Sequence, residues 1–196
     1  MCQGAMSGGV DVALWMPLIG WWGGVYSSGA VRCERPHALV ASQNTEGSIM
    51  DILIVNGPNL RYLGVRQPEV YGTHGMDAVP ALVAHIMGEE AAKVHLQFFQ
   101  SNSEGALIDR LEQAWQEKVA GIVINPGAYT HTSLALADCL AWIGIPYVEV
   151  HLSNVAARDS IRHRSLTAPR AVGTLAGFGV LGYALAVRAL WQALQS

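Results

Sequence analysis

Glu149 and His151 stand two apart in the run Tyr147-Val-Glu-Val-His151, so a strand would project both side chains from one face. A carboxylate bonded to one ring nitrogen fixes the imidazole's tautomer and leaves the other nitrogen to pass a proton. The alternatives are a metal ligand or a satisfied structural histidine, and no second His/Cys set at ligand spacing favours metal. Tyr71 lies five residues after Arg66, in a loop bounded by Gly and Pro. A phenol with an ordinary pKa of about 10 is a poor base at neutral pH unless a cation stabilises its anion. Arg66 is the natural candidate, although a tyrosine taken alone is better read as an incidental residue of a surface turn. Asn59, in Asn56-Gly-Pro-Asn59, offers an amide that could hold a ligand oxygen or merely stabilise a turn.

From Met50 onward the chain alternates strands and helices that could position these groups. Ile52-Leu-Ile-Val55 is a continuous apolar run, as expected of a strand buried on both faces. Further strands are expected over 94–100, 121–124, 147–150 and 171–176. Helical spacing predicts helices over 77–92, 106–118, 132–142 and 179–194. The first places Val79, Leu82, Val83, Ile86 and Met87 at helical spacing, and in the second Leu107, Leu111, Ala114 and Trp115 share one face. This order predicts right-handed βαβ crossovers and a doubly wound, three-layer α/β/α sandwich around a five-stranded parallel sheet. Ligands of such sheets bind beyond the carboxyl ends of the strands. The first four strand exits are polar: Asn56-Gly-Pro-Asn59, Ser101-Asn-Ser-Glu104-Gly, Asn125-Pro-Gly-Ala-Tyr-Thr-His131 and His151-Leu-Ser153-Asn154. Turn chemistry accounts for any one of these loops, but less well for four that converge.

Composition narrows the partners. Twelve basic residues against fifteen acidic ones leave no Lys/Arg stripe for a phosphate backbone, so nucleic acid is not expected. Lys93 and Lys118 are the only lysines, which argues against a polybasic membrane patch and against Schiff-base chemistry. Cys2, Cys33 and Cys139 form neither a disulfide framework nor a zinc site, and a reducing, cytoplasmic setting is the default. Residues 1–49 hold eight glycines and three tryptophans with little charge, and read as a poorly ordered extension, with Met50 a plausible true start. Their most apolar piece, 12–26, is broken by Pro17, Gly20, Gly23 and Gly24 and falls short of the roughly 20 residues of a membrane-spanning helix. It also lacks the basic start of a signal peptide.

Six strings in order from Met50 to the end resemble the type II 3-dehydroquinate dehydratase family: NGPNL at 56–60, Arg66-Gln-Pro-Glu-Val-Tyr71-Gly, QSNSEG at 100–105, INPGAYTHTS at 124–133, EVHLSN at 149–154 and Arg162-His-Arg-Ser165. The resemblance implies a flavodoxin-like fold and anti dehydration of 3-dehydroquinate to 3-dehydroshikimate through an enolate, in the shikimate pathway, without metal or cofactor. It makes Tyr71 the base, with Arg66 lowering its pKa on a lid that closes over the substrate. It makes His151 the acid, paired with Glu149, and Asn59 an enolate holder working with an ordered water. Asn125, Leu152 and Ser153 would take the substrate carboxylate, and His131 and Arg162 the ring hydroxyls. Asp138, seven residues after His131 and so about two helical turns along nearly the same face, would reach a neighbouring subunit's site, implying trimers and usually a dodecamer. Arg158 and Glu104 read as mainly structural.

The chain departs from the family's usual residues at Ala156, Ala137, Gln67, Arg61 and Tyr62, which bear on the lid and turnover more than on reaction type. Two other readings stand beside the enzyme. A flavin- or phosphate-binding module would want a Ser/Thr/Gly-rich first loop, where this chain has Pro58, Asn59 and Leu60. A member with reduced activity, serving as an oligomeric interaction protein, would fit the changes at Ala156 and Ala137. The same reaction would also serve quinate catabolism.

Overall fold

The computed structural model describes residues 49–63 and 75–196. Arg66 and Tyr71, and the expected extension apart from Ile49, lie outside the described residues. Five strands, β1 (Met50–Asn56), β2 (Val94–Gln100), β3 (Gly121–Asn125), β4 (Tyr147–His151) and β5 (Gly173–Ala176), form one parallel sheet in the order β2-β1-β3-β4-β5. The chain runs outward from β1 to β2, then crosses back so that β3, β4 and β5 extend the other edge. Its direction therefore reverses between β1 and β3, the switch point at which a crevice opens beyond the strand ends.

Period-2 alternation divides the core between two faces. Ile52, Ile54, Val123, Val148 and Val150 pack on one side with helices α1 (Val79–Met87) and α4 (Leu181–Leu194). Leu53, Val55, Ile122, Ile124 and Tyr147 pack on the other with α2 (Glu104–Gln116) and α3 (Leu134–Ile143). The expected sandwich is therefore present, with β1 and β3 covered on both sides.

Several boundaries and faces differ from the sequence reading. The helix expected over 77–92 is α-helical only from Val79 to Met87; Gly88, at φ +58°, ends it, and 3-10 turns flank it over Met76–Ala78 and Gly88–Lys93. His131 and Asp138 do not share one helix. His131 ends a 3-10 turn, Gly127–His131, and α3 begins only after Ser133, whose hydroxyl accepts the Leu136 N–H at 2.8 Å. On the face that Trp115 shares with Leu107, Leu111 and Ala114, those three are buried while Trp115 is half exposed, its ring 5.6 Å from that of Trp142.

Cys139 faces the core from α3, and burial, with Glu112 nearby, pushes its thiol from 9.0 to about 11. Two units correspond to about a hundredfold less thiolate at neutral pH. In a Cys2→Ser/Cys33→Ser chain, Cys139 should therefore react with a thiol reagent about a hundredfold more slowly in the folded protein than after denaturation; equal rates would contradict this burial.

Candidate active site

The polar strand exits meet at the switch point. After β1 the chain turns at Gly57, whose N–H donates to the Asn125 carbonyl at 2.8 Å and whose own carbonyl accepts from Gln100 Nε2 at 3.2 Å. An added Cβ at Gly57 would sit 2.3 Å from the Pro126 carbonyl oxygen, so only glycine allows the loops after β1 and β3 to approach this closely. Asn59 takes the left-handed conformation, φ +65°, and its N–H donates to Asn102 Oδ1 at 3.0 Å. Asn102 also accepts the Tyr129 hydroxyl on its carbonyl at 2.8 Å. Three loops from three strands are thus tied into one rim.

Within that rim lies a cavity of about 260 Å³. Pro58, Asn59 and Leu60 wall it from β1, Asn125 and His131 from β3, and His151, Leu152 and Ser153 from β4. Arg158 and Arg162 close it from the segment that follows. Among the described residues, no carboxylate lines the cavity, while two guanidinium groups and two imidazoles do. The Nε of Arg162 is buried and finds no hydrogen-bond partner among the described residues, leaving a donor to be met by a ligand acceptor. Asn125 is 3 % exposed and its Oδ1 accepts from the Gly127 N–H at 3.2 Å, leaving Nδ2 as its donor side. His131 is held by a 2.7 Å contact between Nδ1 and the Arg164 carbonyl, which makes Nδ1 a donor and leaves Nε2 free for a ligand.

Glu149 and His151 form the pair that strand alternation predicts. His151 Nε2 lies 2.8 Å from Glu149 Oε1, and Glu149 is 1 % exposed. The carboxylate also accepts Thr167 Oγ1 at 2.5 Å and Ser165 Oγ at 3.0 and 3.2 Å. Such a buried charge is tolerated because three donors meet it. With both hydroxyls donating, His151 Nε2 must carry its proton, and Nδ1 is the nitrogen left for the cavity. A neutral ring would present a lone pair there, so His151 can act as an acid only when doubly protonated. Glu149 supplies the counter-charge for that state.

The family profile described as dehydroquinase class II matches residues 50–191. The chain belongs to the class II dehydroquinase family. Similar curated relatives include a 3-dehydroquinate dehydratase of Synechococcus sp. (strain CC9605), 49% identical over 74% of this chain and 98% of the relative. Another, from Prochlorococcus marinus (strain MIT 9313), is 53% identical over 72% and 93%. Among solved structures, the type II dehydroquinase of Butyrivibrio crossotus DSM 2876 is 41% identical, with a TM-score of 0.67 over 74% of this chain and 99% of that one. The flavodoxin-like reading of the fold thus agrees with both the sheet order and a dehydroquinase neighbour.

Of the site residues that the dehydroquinase resemblance implies, Asn59, Asn125, His131, His151, Leu152, Ser153 and Arg162 all line the one cavity, with Glu149 directly behind His151. Asp138 is exposed on α3 and does not line it. Arg158, read from sequence as mainly structural, is a wall of the cavity, because the 3-10 turn Val155–Ala157 carries it back over the β4 exit. Glu104 is the first residue of α2, where a carboxylate favours the helix N-terminus. Ser165 and Thr167 went unassigned in the sequence; the one available signal was that a buried acid on a strand needs donors from elsewhere in the chain.

Proposed function

We propose that this chain is a hydro-lyase that dehydrates 3-dehydroquinate to 3-dehydroshikimate. The observation that carries the reading is the switch-point cavity, cationic and free of carboxylates among its described walls, with a histidine backed by a buried glutamate. Tyr71, with Arg66 stabilising its anion, takes a proton from the carbon next to the ketone. The electron pair moves onto the carbonyl oxygen, and Asn59 helps hold the enolate. The pair then returns to form the ring double bond as the carbon–oxygen bond of the hydroxyl β to the ketone breaks. His151 delivers its Nδ1 proton to that oxygen and water departs. Tyrosine ends protonated and histidine neutral, so one proton passes back before the next turnover. Asn125 with Leu152 and Ser153 takes the carboxylate, while His131 and Arg162 orient the ring hydroxyls.

In this reading the exposed Asp138 completes the cavity of a neighbouring copy, and the working unit is a trimer, four of which make a dodecamer. Light scattering on eluting protein should give a multiple of three chains; a fully active monomer would contradict it. Among the described residues, no helix is long and apolar enough to cross a membrane. The proposed setting is the cytoplasm, with a place in aromatic amino acid biosynthesis. A catabolic role remains the second reading because a relative from Aspergillus terreus, 50% identical over 69% of this chain, is named catabolic 3-dehydroquinase 1.

The direct test of the chemistry is Tyr71→Phe. Loss of the base should cut kcat about 10²–10⁴-fold while the assembly elutes unchanged. Undiminished turnover would remove Tyr71 from its role.

A further inference from the structure

Asn56 and Asn125 are register partners at the ends of β1 and β3, on the face that α4 covers. Between them, from α4, comes the hydroxyl of Tyr183, a side chain with no exposure. It lies 2.5 Å from Asn56 Oδ1 and 3.0 Å from Asn125 Nδ2. A hydroxyl has one proton, and here it goes to the Asn56 oxygen, so toward Asn125 the phenol can only accept. Burial pushes the phenol well above its ordinary range, which keeps that proton in place.

We propose that Tyr183 is a positioning residue that locks the Asn125 amide with Nδ2 as donor, one N–H held by the phenol oxygen and the second left for the cavity that Asn125 lines, and so makes the site select an anionic carboxylate. This rests on the function proposed above. A flipped amide would set Oδ1 against the lone pairs of Tyr183 and Nδ2 against the Gly127 N–H, which now donates to Oδ1 at 3.2 Å. Both ends of the flip are thereby opposed. Without the lock, Asn125 could offer an acceptor as readily as a donor, and a ligand amide would suit it as well as a carboxylate.

The experiment compares 3-dehydroquinate with its primary carboxamide as substrates of the full-length chain and of Tyr183→Phe. Wild-type turnover of the acid tests the function reading separately. In the variant the acid-to-amide ratio of kcat/KM should narrow by about tenfold or more, the worth of one charge-assisted hydrogen bond. The loss for the acid should appear mainly in KM, as for binding shared by ground and transition states. A role in packing alone would lower both substrates alike. Should Tyr183→Phe not fold, Asn56→Ala keeps the ring in place but releases its proton to donate to a flipped Asn125, and the same narrowing is expected. An unchanged ratio in a folded variant overturns the proposal.

Discussion

Asparagine in place of His151 should lower kcat for 3-dehydroquinate by about 10²–10⁴-fold, the usual worth of a positioned general acid. The substitution keeps an N–H donor in reach of Glu149, so the buried carboxylate is not abandoned and the fold should survive. What is lost is the second nitrogen, the only group that the Glu149–His151 pair turns toward the cavity with a transferable proton. Because the proposed function gives the carboxylate and hydroxyl contacts of the ligand to Asn125, Ser153 and Arg162, which line the cavity independently of His151, KM should change by much less than kcat. Glu149→Gln should cost less, about 10–100-fold, since its amide oxygen can still accept His151 Nε2–H but carries no charge to match the imidazolium. Steady-state kinetics on the two variants check both the size and the order of the losses; a larger effect at Glu149 would make it, rather than His151, the principal group.

The second large effect is expected at a residue with no side chain. In Gly57→Ala the new methyl would fall 2.3 Å from the oxygen and 2.6 Å from the carbon of the Pro126 carbonyl. Neither atom belongs to a side chain that could swing away, so the loops after β1 and β3 must separate. Overpacking of this kind costs about 1–3 kcal/mol, and each kcal/mol should lower Tm by roughly 2–4 °C in a chain of this size. The larger consequence is catalytic. Asn59 and Asn125 stand on the two loops being forced apart, and a displacement of about 1 Å can cost about 10²-fold in rate. Gly88→Ala is the control: it also meets φ +58° but has nothing within 4 Å of the added methyl and lies far along the chain from the cavity walls. It should lower Tm and leave kcat/KM unchanged. If the two variants lose activity equally, the close approach at Gly57 does not shape the site.

Much of the architecture was legible because the core strands are extreme in composition. Ile52 to Val55 reads as buried on both faces and is so, each side chain at or near zero exposure. Alternation along Tyr147–His151 likewise sufficed to place Glu149 beside His151, since both sit on one strand. Local turns were less legible. Helical spacing continued through Gly88 and Thr132 in the sequence, but backbone geometry ended one helix at the glycine and began another only after the Ser133 cap.

The partners of the site came from far along the chain. Tyr183 lies 127 residues from Asn56, within a buried stripe of Ala, Val and Leu where a tyrosine passes for one more core group. Its hydroxyl was the clue, because a buried phenol needs a partner. Thr167, 18 residues from Glu149, is brought back by a connection made of short 3-10 turns that no periodicity announces. The place of Arg158 in the cavity wall was illegible for the same reason: it depends on where that connection folds. The departures at Ala156 and Ala137 fall outside the cavity walls described here.

Dehydration of 3-dehydroquinate without a Schiff base is tested most directly by one measurement: the rise in ultraviolet absorbance of the conjugated enone when the purified full-length chain is mixed with 3-dehydroquinate in a chelator-treated buffer. Steady formation of 3-dehydroshikimate is expected, and it should persist after the protein has been incubated with 3-dehydroquinate and borohydride together and then freed of both, since no lysine is asked to form a Schiff base. Absence of product from the folded protein, or its loss on borohydride treatment, would contradict it.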